Sequence, residues 1–304
     1  MANNIELAQK YLPEIDLVYK AVAKSALLDA PAEMVGKWLD ANTIKIAKRV
    51  FPKLGNYSKA DGYPQGGVTV NWETFTFSND RGRAFNIDKM DNMESMGVAL
   101  LNTVGDYMRE IVIPEKDAYA FARIAGTEGI QGATGTLTSS NTKQAINAAR
   151  VALANSEVDE ANLVLFITPD ALNNLEEQID RSLRSGETAY GQKIRFYNDI
   201  PVVIVPPTRF YDKVDLLDAK TLGQEEGGYR KHVASGTGDV AGKDINFILM
   251  DKNAAFTLPK NNVTKIITPQ ENQLYDGWTF HFRFYHETFV YQNKKSGIFV
   301  HKVA

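Results

Sequence analysis

The sequence predicts an α+β fold, and three observations carry that expectation. Met93, Met96, Gly97, Leu100, Leu101, Val104, Met108 and Ile111 recur at steps of three and four, the stripe of one long helix. "LVLFITP", "IPVVIVPP" and "INFILM" are short continuous apolar runs, the size of strands buried on both faces, and two of them flank a helical pattern. From residue 258 the helical period disappears, and "VTKIIT", "WTFHFRFYHETFVY" and "SGIFVHKV" have strand composition.

In chain order, Ile5, Ala8, Leu12, Ile15, Tyr19 and Val22 stand at helical spacing, with Pro13 predicting a kink or two short helices. "TIKIAKRVFPK" alternates as a strand, a Gly/Tyr-rich loop follows, and "VTVNWETFTF" (68–77) is a second strand. It carries Val68, Val70 and Trp72 on one face and Phe75 and Phe77 on the other, so this two-stranded projection needs something to lie against. "DRGRAFNIDKMDNMES" (80–95) then reads as a joint between strand and helix. Asp91 is placed as the N-cap with Glu94 three residues on, and the nearby acids suit the positive end of the helix dipole. The helix should continue through "EKDAYAFARIAG" to a stop at Gly126, with Pro114 placed to kink it; ~33 residues at ~1.5 Å each give a length of about 50 Å. Beyond a Gly/Thr/Ser loop come "TKQAINAARVALANSEV" and "DALNNLEEQIDRSLRS", both helical, the second with Asp170 near its start. Residues 211–244 are polar, hold six glycines, and read as a long irregular excursion that is mobile in an isolated subunit.

Bulk properties exclude more than they select. The chain has 304 residues and a net charge of −3, so no global basic field draws it to nucleic acid or anionic lipid. Its first sixty residues, with nine Lys/Arg against six Asp/Glu, are mildly basic on an acidic body. The absence of cysteine rules out disulfides, thiolate zinc and Cys nucleophiles. There is no signal-peptide pattern and no apolar window long enough for a membrane span.

The chemistry is equally sparse. No phosphate loop, HExxH or GxSxG motif occurs, and the glycines of "GTEGIQG" and "SGTGDVAGKD" lack the Lys-Ser/Thr that would hold a nucleotide. His281 and His286 have opposite parity on one strand and cannot share a metal. Asp88 and Asp91, three apart, could share a cation, but further ligands are lacking and a helix-start role fits better. Arg81 and Arg83, around Gly82, suit a phosphate or an ion pair, the latter worth little on a solvated turn. Aromatics in "HFRFYH" and "NWETFTF" suit a core better than base stacking, since no basic run accompanies them. No enzyme and no cofactor emerge.

The order of elements resembles the major capsid protein of tailed bacteriophages. "GNYSKADGYPQGGVTVNWETFTFSNDRGRAFNIDKMDNMES" is similar to coat proteins from phages of Gram-positive bacteria, and "LVLFITPDALNNL" with "YNDIPVVIVPPTRF" resembles their axial domain. The resemblance implies an N-terminal arm (1–57), an extended β-hairpin loop (58–92), a peripheral domain with the spine helix (93–138), an axial α/β domain (139–257) and returning peripheral strands (258–304). It implies pentamers and hexamers of this chain in an icosahedral shell around double-stranded DNA, bound without sequence specificity, formed in the bacterial host cytoplasm. Partners would be a portal and a separate scaffold protein, or no scaffold at all, since the chain leaves no room for a scaffolding segment before the arm; no membrane is involved. Candidate intersubunit contacts are Trp72, Phe75, Phe77, Arg81, Arg83, Asp88, Asp91, Arg230 and Lys231, with the 80–94 joint hinging at Gly82 and the excursion lying at symmetry axes. Two alternatives are an encapsulin-type compartment and a metal-dependent hydrolase using Asp88 and Asp91.

Overall fold

The structure is a computed structural model that describes residues 23–29, 38–40, 43–60, 62–89, 105–178, 184–187, 193–274 and 276–304. Its strands are β1 (Trp38–Asp40), β2 (Thr43–Val50), β3 (Thr69–Thr76), β4 (Asn79–Asp88), β5 (Gln131–Thr134), β6 (Leu163–Ile167), β7 (Arg184–Glu187), β8 (Lys193–Tyr197), β9 (Ile200–Ile204), β10 (Val214–Leu217), β11 (Gly228–Lys231), β12 (Ile245–Asp251), β13 (Ala255–Ile267), β14 (Gly277–Val290) and β15 (Ile298–Lys302). Its α-helices include α1 (Ile113–Ala125), α2 (Thr142–Asn155) and α3 (Pro169–Glu177).

The largest sheet has the order β5-β15-β12-β6-β9-β8-β7 and mixes parallel (β5–β15, β6–β9) with antiparallel pairs. It is covered on both faces, which explains why its central strands read as unbroken apolar runs. Val164 and Phe166 of β6, with Ile248 and Met250 of β12, pack with Phe121 and Ile124 of α1. Leu163, Leu165 and Ile167, with Phe247 and Leu249, meet Ile146 and Leu153 of α2 and Leu172 and Leu175 of α3. Phe121 touches Phe166 and Phe210 edge-on at 5.1 Å each and is fully buried, which contributes about 2–3 kcal/mol from burial alone. Thr168 caps α3 by accepting the Ala171 N–H, ahead of Pro169 and Asp170 in the first turn.

A second, antiparallel sheet runs β13-β14-β4. Phe280, Phe282 and Phe284 pack with Met108 and Val112, while Tyr285 and Phe289, of the other parity, pack with Phe75 and Phe77. The third sheet, β1-β2-β3, is dominated by the β2–β3 hairpin, in register from Thr43↔Thr76 to Val50↔Thr69.

Several expectations need correction. The last strand, β15, expected among the returning peripheral strands of 258–304, pairs with β12 and β5 inside the seven-stranded sheet. Its Ile298, Phe299 and Val300 are buried on alternating faces there, so its apolar run reports two-sided burial. The long helix does stop at the expected Gly126, whose N–H bonds the Ala122 carbonyl at 2.8 Å, and residues 131–134 of the 93–138 segment are a strand. Its start at Asp91 and Met93 and its mid-stripe Val104 lie outside the described residues. Ile111, expected on the buried stripe, is 48 % exposed. Residues Met108–Val112 form a π turn, in which the Ile113 N–H reaches back to the Met108 carbonyl. That turn directly precedes Pro114, which has no N–H to offer the regular ladder, and the extra residue rotates Ile111 out and Val112 in.

The "DRGRAFNID" joint lies within a ten-residue strand, Asn79–Asp88, rather than in a turn. Asn79, Arg81, Phe85 and Ile87 face inward at alternate positions, and β4 pairs with β14 from Asn79↔His286 to Asp88↔Gly277. Gly82 is therefore not a hinge: a Cβ there would stand 2.9 Å from the Phe282 carbonyl oxygen, so glycine permits a close backbone approach. Nor is the excursion wholly irregular, since β10 and β11 make a hairpin inside it.

Candidate functional site

Five side chains of α1 grip four other parts of the chain. Lys116 and Asp117 occupy apolar-phase positions between Ile113 and Ala120, so the helix carries them into the interior, where they are 1 % and 0 % exposed. Burial of such groups is tolerated only with partners. The Lys116 ammonium lies 2.6 Å from Asp29. Asp117 accepts the backbone N–H groups of Lys24 and Ser25 at 3.0 Å each, the Ser25 hydroxyl at 2.7 Å, and the Arg209 guanidinium at 3.2 Å. These bonds pin segment 23–29, whose Leu28 enters the sheet-and-helix core.

Glu115 receives Arg81 of β4 in two parallel bonds, 2.6 and 3.2 Å. Arg81 also donates to the carbonyls of Leu217 and Gly228, at 2.8 and 3.1 Å, and so ties β4, α1 and the β10–β11 hairpin together. Tyr119 donates its hydroxyl to Glu287 at 2.6 Å, and Arg123 approaches the same oxygen at 3.2 Å. The other Glu287 oxygen accepts the N–H and hydroxyl of Ser78, at 3.1 and 2.7 Å. Glu287 is fully buried, so it fastens the base of the β2–β3 hairpin to the helix. Burial, helped by the bond to Glu287, pushes the Tyr119 hydroxyl well above its ordinary pKa.

His286 lies beside this cluster, 2 % exposed, stacked on Phe284 at 4.2 Å and edge-on to Tyr119 at 5.7 Å. Its Nε2 is 3.1 Å from the Asn79 amide. Burial first, and then the nearby Lys116 and Arg81 charges, lowers its pKa to about 3.

The outer face of the β2–β3 hairpin contrasts with its base. Val68, Val70 and Trp72 are 57, 48 and 61 % exposed, and Val50, Phe51, Leu54, Tyr57 and Tyr63 continue the exposed apolar surface toward the tip. Of the candidate contact residues, Trp72 is thus on the surface. Phe75 and Phe77 are not: they are 8 and 3 % exposed and pack with Phe256, Tyr285 and Phe289 of the same chain. Arg81 is held inside by Glu115, stronger than the solvated-turn pair expected, whereas Arg83 is exposed. Asp88 is exposed at the end of β4 and directly precedes Lys89, a helical residue, as a helix-start role requires; Asp91 lies outside the described residues. Arg230 pairs with Asp215 at 3.5 Å and Lys231 with Asp244 at 2.8 Å, so both have partners within the subunit.

The sequence reading missed Lys116, Asp117 and Glu287. The signal was present: two charges on the buried phase of an amphipathic helix, and one acid inside the aromatic run "FYHETFVY".

No protein-family model and no curated protein matches this chain. Solved structures do. The capsid structure of the cyanophage P-SCSP1u is 12% identical with a TM-score of 0.56, over 88% of this chain and 85% of that one. The mature capsid of bacteriophage PhiM1 is 10% identical with a TM-score of 0.55, over 87% and 82%. A virus-like particle from Pyrococcus furiosus is 13% identical with a TM-score of 0.52, over 99% of both chains. At these identities the likeness is one of fold, and this chain has the α+β major capsid fold of tailed phages.

Proposed function

We propose that this chain is the shell-forming subunit of a tailed-phage capsid, assembling with copies of itself into pentamers and hexamers of an icosahedral shell around double-stranded DNA. The observation that carries the reading is the β2–β3 hairpin. Its base is locked by Glu287 and the Phe75/Phe77 cluster, while Val68, Val70 and Trp72 lie on one exposed face. A contiguous apolar face on a well-anchored projection is a liability for a solitary subunit and an asset for one that covers a neighbour. In this reading the subunit's role is structural rather than enzymatic. Portal, scaffold and packaged DNA remain the expected partners, and the bacterial cytoplasm the expected place of assembly. Among the described residues no group of three or more His, Asp or Glu side chains is arranged to hold a metal, so Asp88 brings no described ligand set to the hydrolase alternative.

The test is electron microscopy of the purified chain beside Trp72→Glu. Wild type should form rings, tubes or closed shells. The variant, with a charge placed on an already exposed face, should keep its circular dichroism and lose the assemblies. Wild-type protein that stays monomeric at all concentrations by ultracentrifugation rejects the proposal. A second reading, a protein compartment, is supported by the likeness to the Pyrococcus furiosus virus-like particle along the full length of both chains. Nuclease-protected DNA inside particles purified from the native source favours the phage shell; encapsulated protein favours the compartment.

A further inference from the structure

Loop 232–242 closes onto strand β10 and the residue before it through two side chains, His232 and Lys213, of which only His232 bridges two carboxylates. The His232 backbone is fixed at both ends, its N–H donating to the Lys213 carbonyl at 3.1 Å and its own carbonyl accepting from Gly242 at 2.9 Å. From that anchor the ring reaches two carboxylates. Nδ1 stands 2.5 Å from Asp215 of β10, and Nε2 stands 3.0 Å from each oxygen of Asp239 across the loop. A carboxylate can only accept, so each ring nitrogen must donate. Neutral imidazole has a single N–H, and only the imidazolium completes both bonds.

A further side chain fastens the loop, Lys213, whose Nζ donates to the Val240 carbonyl at 3.0 Å. Val233 and Val240 are each 59 % exposed, and Gly236 and Gly238 separate them. Asp239 also accepts the Ser235 N–H at 3.0 Å, so the carboxylate held by His232 organises the turn that carries it. The surrounding charges are defined. Arg230 of β11 lies 3.5 Å from Asp215, and Lys231 is engaged with Asp244. On the open side, His232 borders a groove of about 610 Å³ whose wall also includes Glu73, Arg123, Asp212, Lys213 and Lys295.

We propose that His232 is a pH-operated clasp: its imidazolium ties loop 233–241 to β10 along one wall of this groove, and loss of the proton releases it. Whether the chain assembles does not enter the argument. The bonds to Asp215 and then to Asp239 raise the imidazole pKa, and His232 in turn holds the Asp239 carboxyl below its usual range. A raised folded-state pKa fixes the sign. The clasp is complete below the ordinary imidazole value of about 6.5 and fades as pH rises through the raised value.

The test is hydrogen–deuterium exchange of the full chain at about pH 5.5 and about pH 9, corrected for intrinsic exchange. Peptides covering 233–241 should lose protection roughly 10-fold at the higher pH while β12 does not change. His232→Gln, a neutral residue that cannot donate to both carboxylates from one ring, should exchange fast in this loop at both pH values. Asp239→Asn removes one carboxylate and should move the midpoint of the wild-type transition to lower pH. Equal loop protection at both pH values in wild type, a variant His232→Gln as protected as wild type, or an unmoved midpoint in Asp239→Asn each overturns the proposal.

Discussion

At the scale of single residues the fold depends on a few buried polar groups, each satisfied by several partners. Glu287 illustrates the logic. One carboxylate accepts from Ser78 twice, from Tyr119, and lies against Arg123, so its cost of burial is offset only when hairpin and helix are both in place. His286 is the complementary case, a buried imidazole kept neutral. With its pKa lowered to about 3, the unfolded chain binds a proton between roughly pH 6.5 and 3 that the folded chain does not. Its contribution is therefore fully present above the unfolded value and is lost as pH falls toward the folded one, at about 1.4 kcal/mol per unit of pH inside that window. Carboxylates also titrate there, so a difference measurement is needed. His286→Gln should show a shallower fall of Tm with acid than wild type across this window. Parallel Tm–pH curves for the two proteins would mean that His286 is protonated in the fold at little cost.

The elements show which parts of the sequence carry structure on their own. β6, β9 and β12 could be read directly, because burial on both faces leaves continuous apolar runs, and α1 ended where Gly126 predicts. β4 is not legible locally, because two of its four inward residues, Asn79 and Arg81, are polar beside Phe85 and Ile87; its pairing with β14, from His286 to Gly277, identifies it as a strand. The polar excursion failed for the same reason. Its glycines suggest freedom, but β10 and β11 are joined by ladder bonds and by cross-strand partners such as Asp215 and Arg230 that local composition does not reveal. The structure changes what proteolysis should find. Arg230 and Lys231 sit in β11 with ion-pair partners, whereas Lys220 lies between the strands near Leu222, which is 94 % exposed. Brief trypsin treatment of the free subunit should cut after Lys220 before it cuts after Arg230 or Lys231. Mass spectrometry of the first fragments decides this, and a first cut at 230 or 231 would mean that the β10–β11 hairpin frays in solution.

For the whole molecule, the sequence placed an apolar hairpin between an N-terminal segment and a long helix, and it could not show where the hairpin stops belonging to this subunit. That boundary is set by packing across more than 200 positions of chain, between Phe77 and Tyr285 or Ser78 and Glu287. It now falls between Trp72, exposed, and Phe75, buried, so removing residues 64–78 would cut into the subunit's own core and is expected to unfold it. A sharper dissection follows from the register. Val50 and Thr69 face one another at the end of the β2–β3 ladder, so residues 51–68 can be replaced by a two-residue Asn-Gly turn without disturbing the pairing. The replaced stretch includes Phe51, Leu54, Tyr57, Tyr63 and Val68, all exposed, and none of its described residues enters the Phe75–Phe289 cluster. Little buried area is lost, so the shortened chain should melt within about 1 kcal/mol of wild type. If the removed surface covers a neighbour, the same protein should sediment as free subunits where wild type forms particles. Unfolding of the shortened chain would place residues 51–68 in its own stability, and particles of normal size would exclude the hairpin tip from the shell contact.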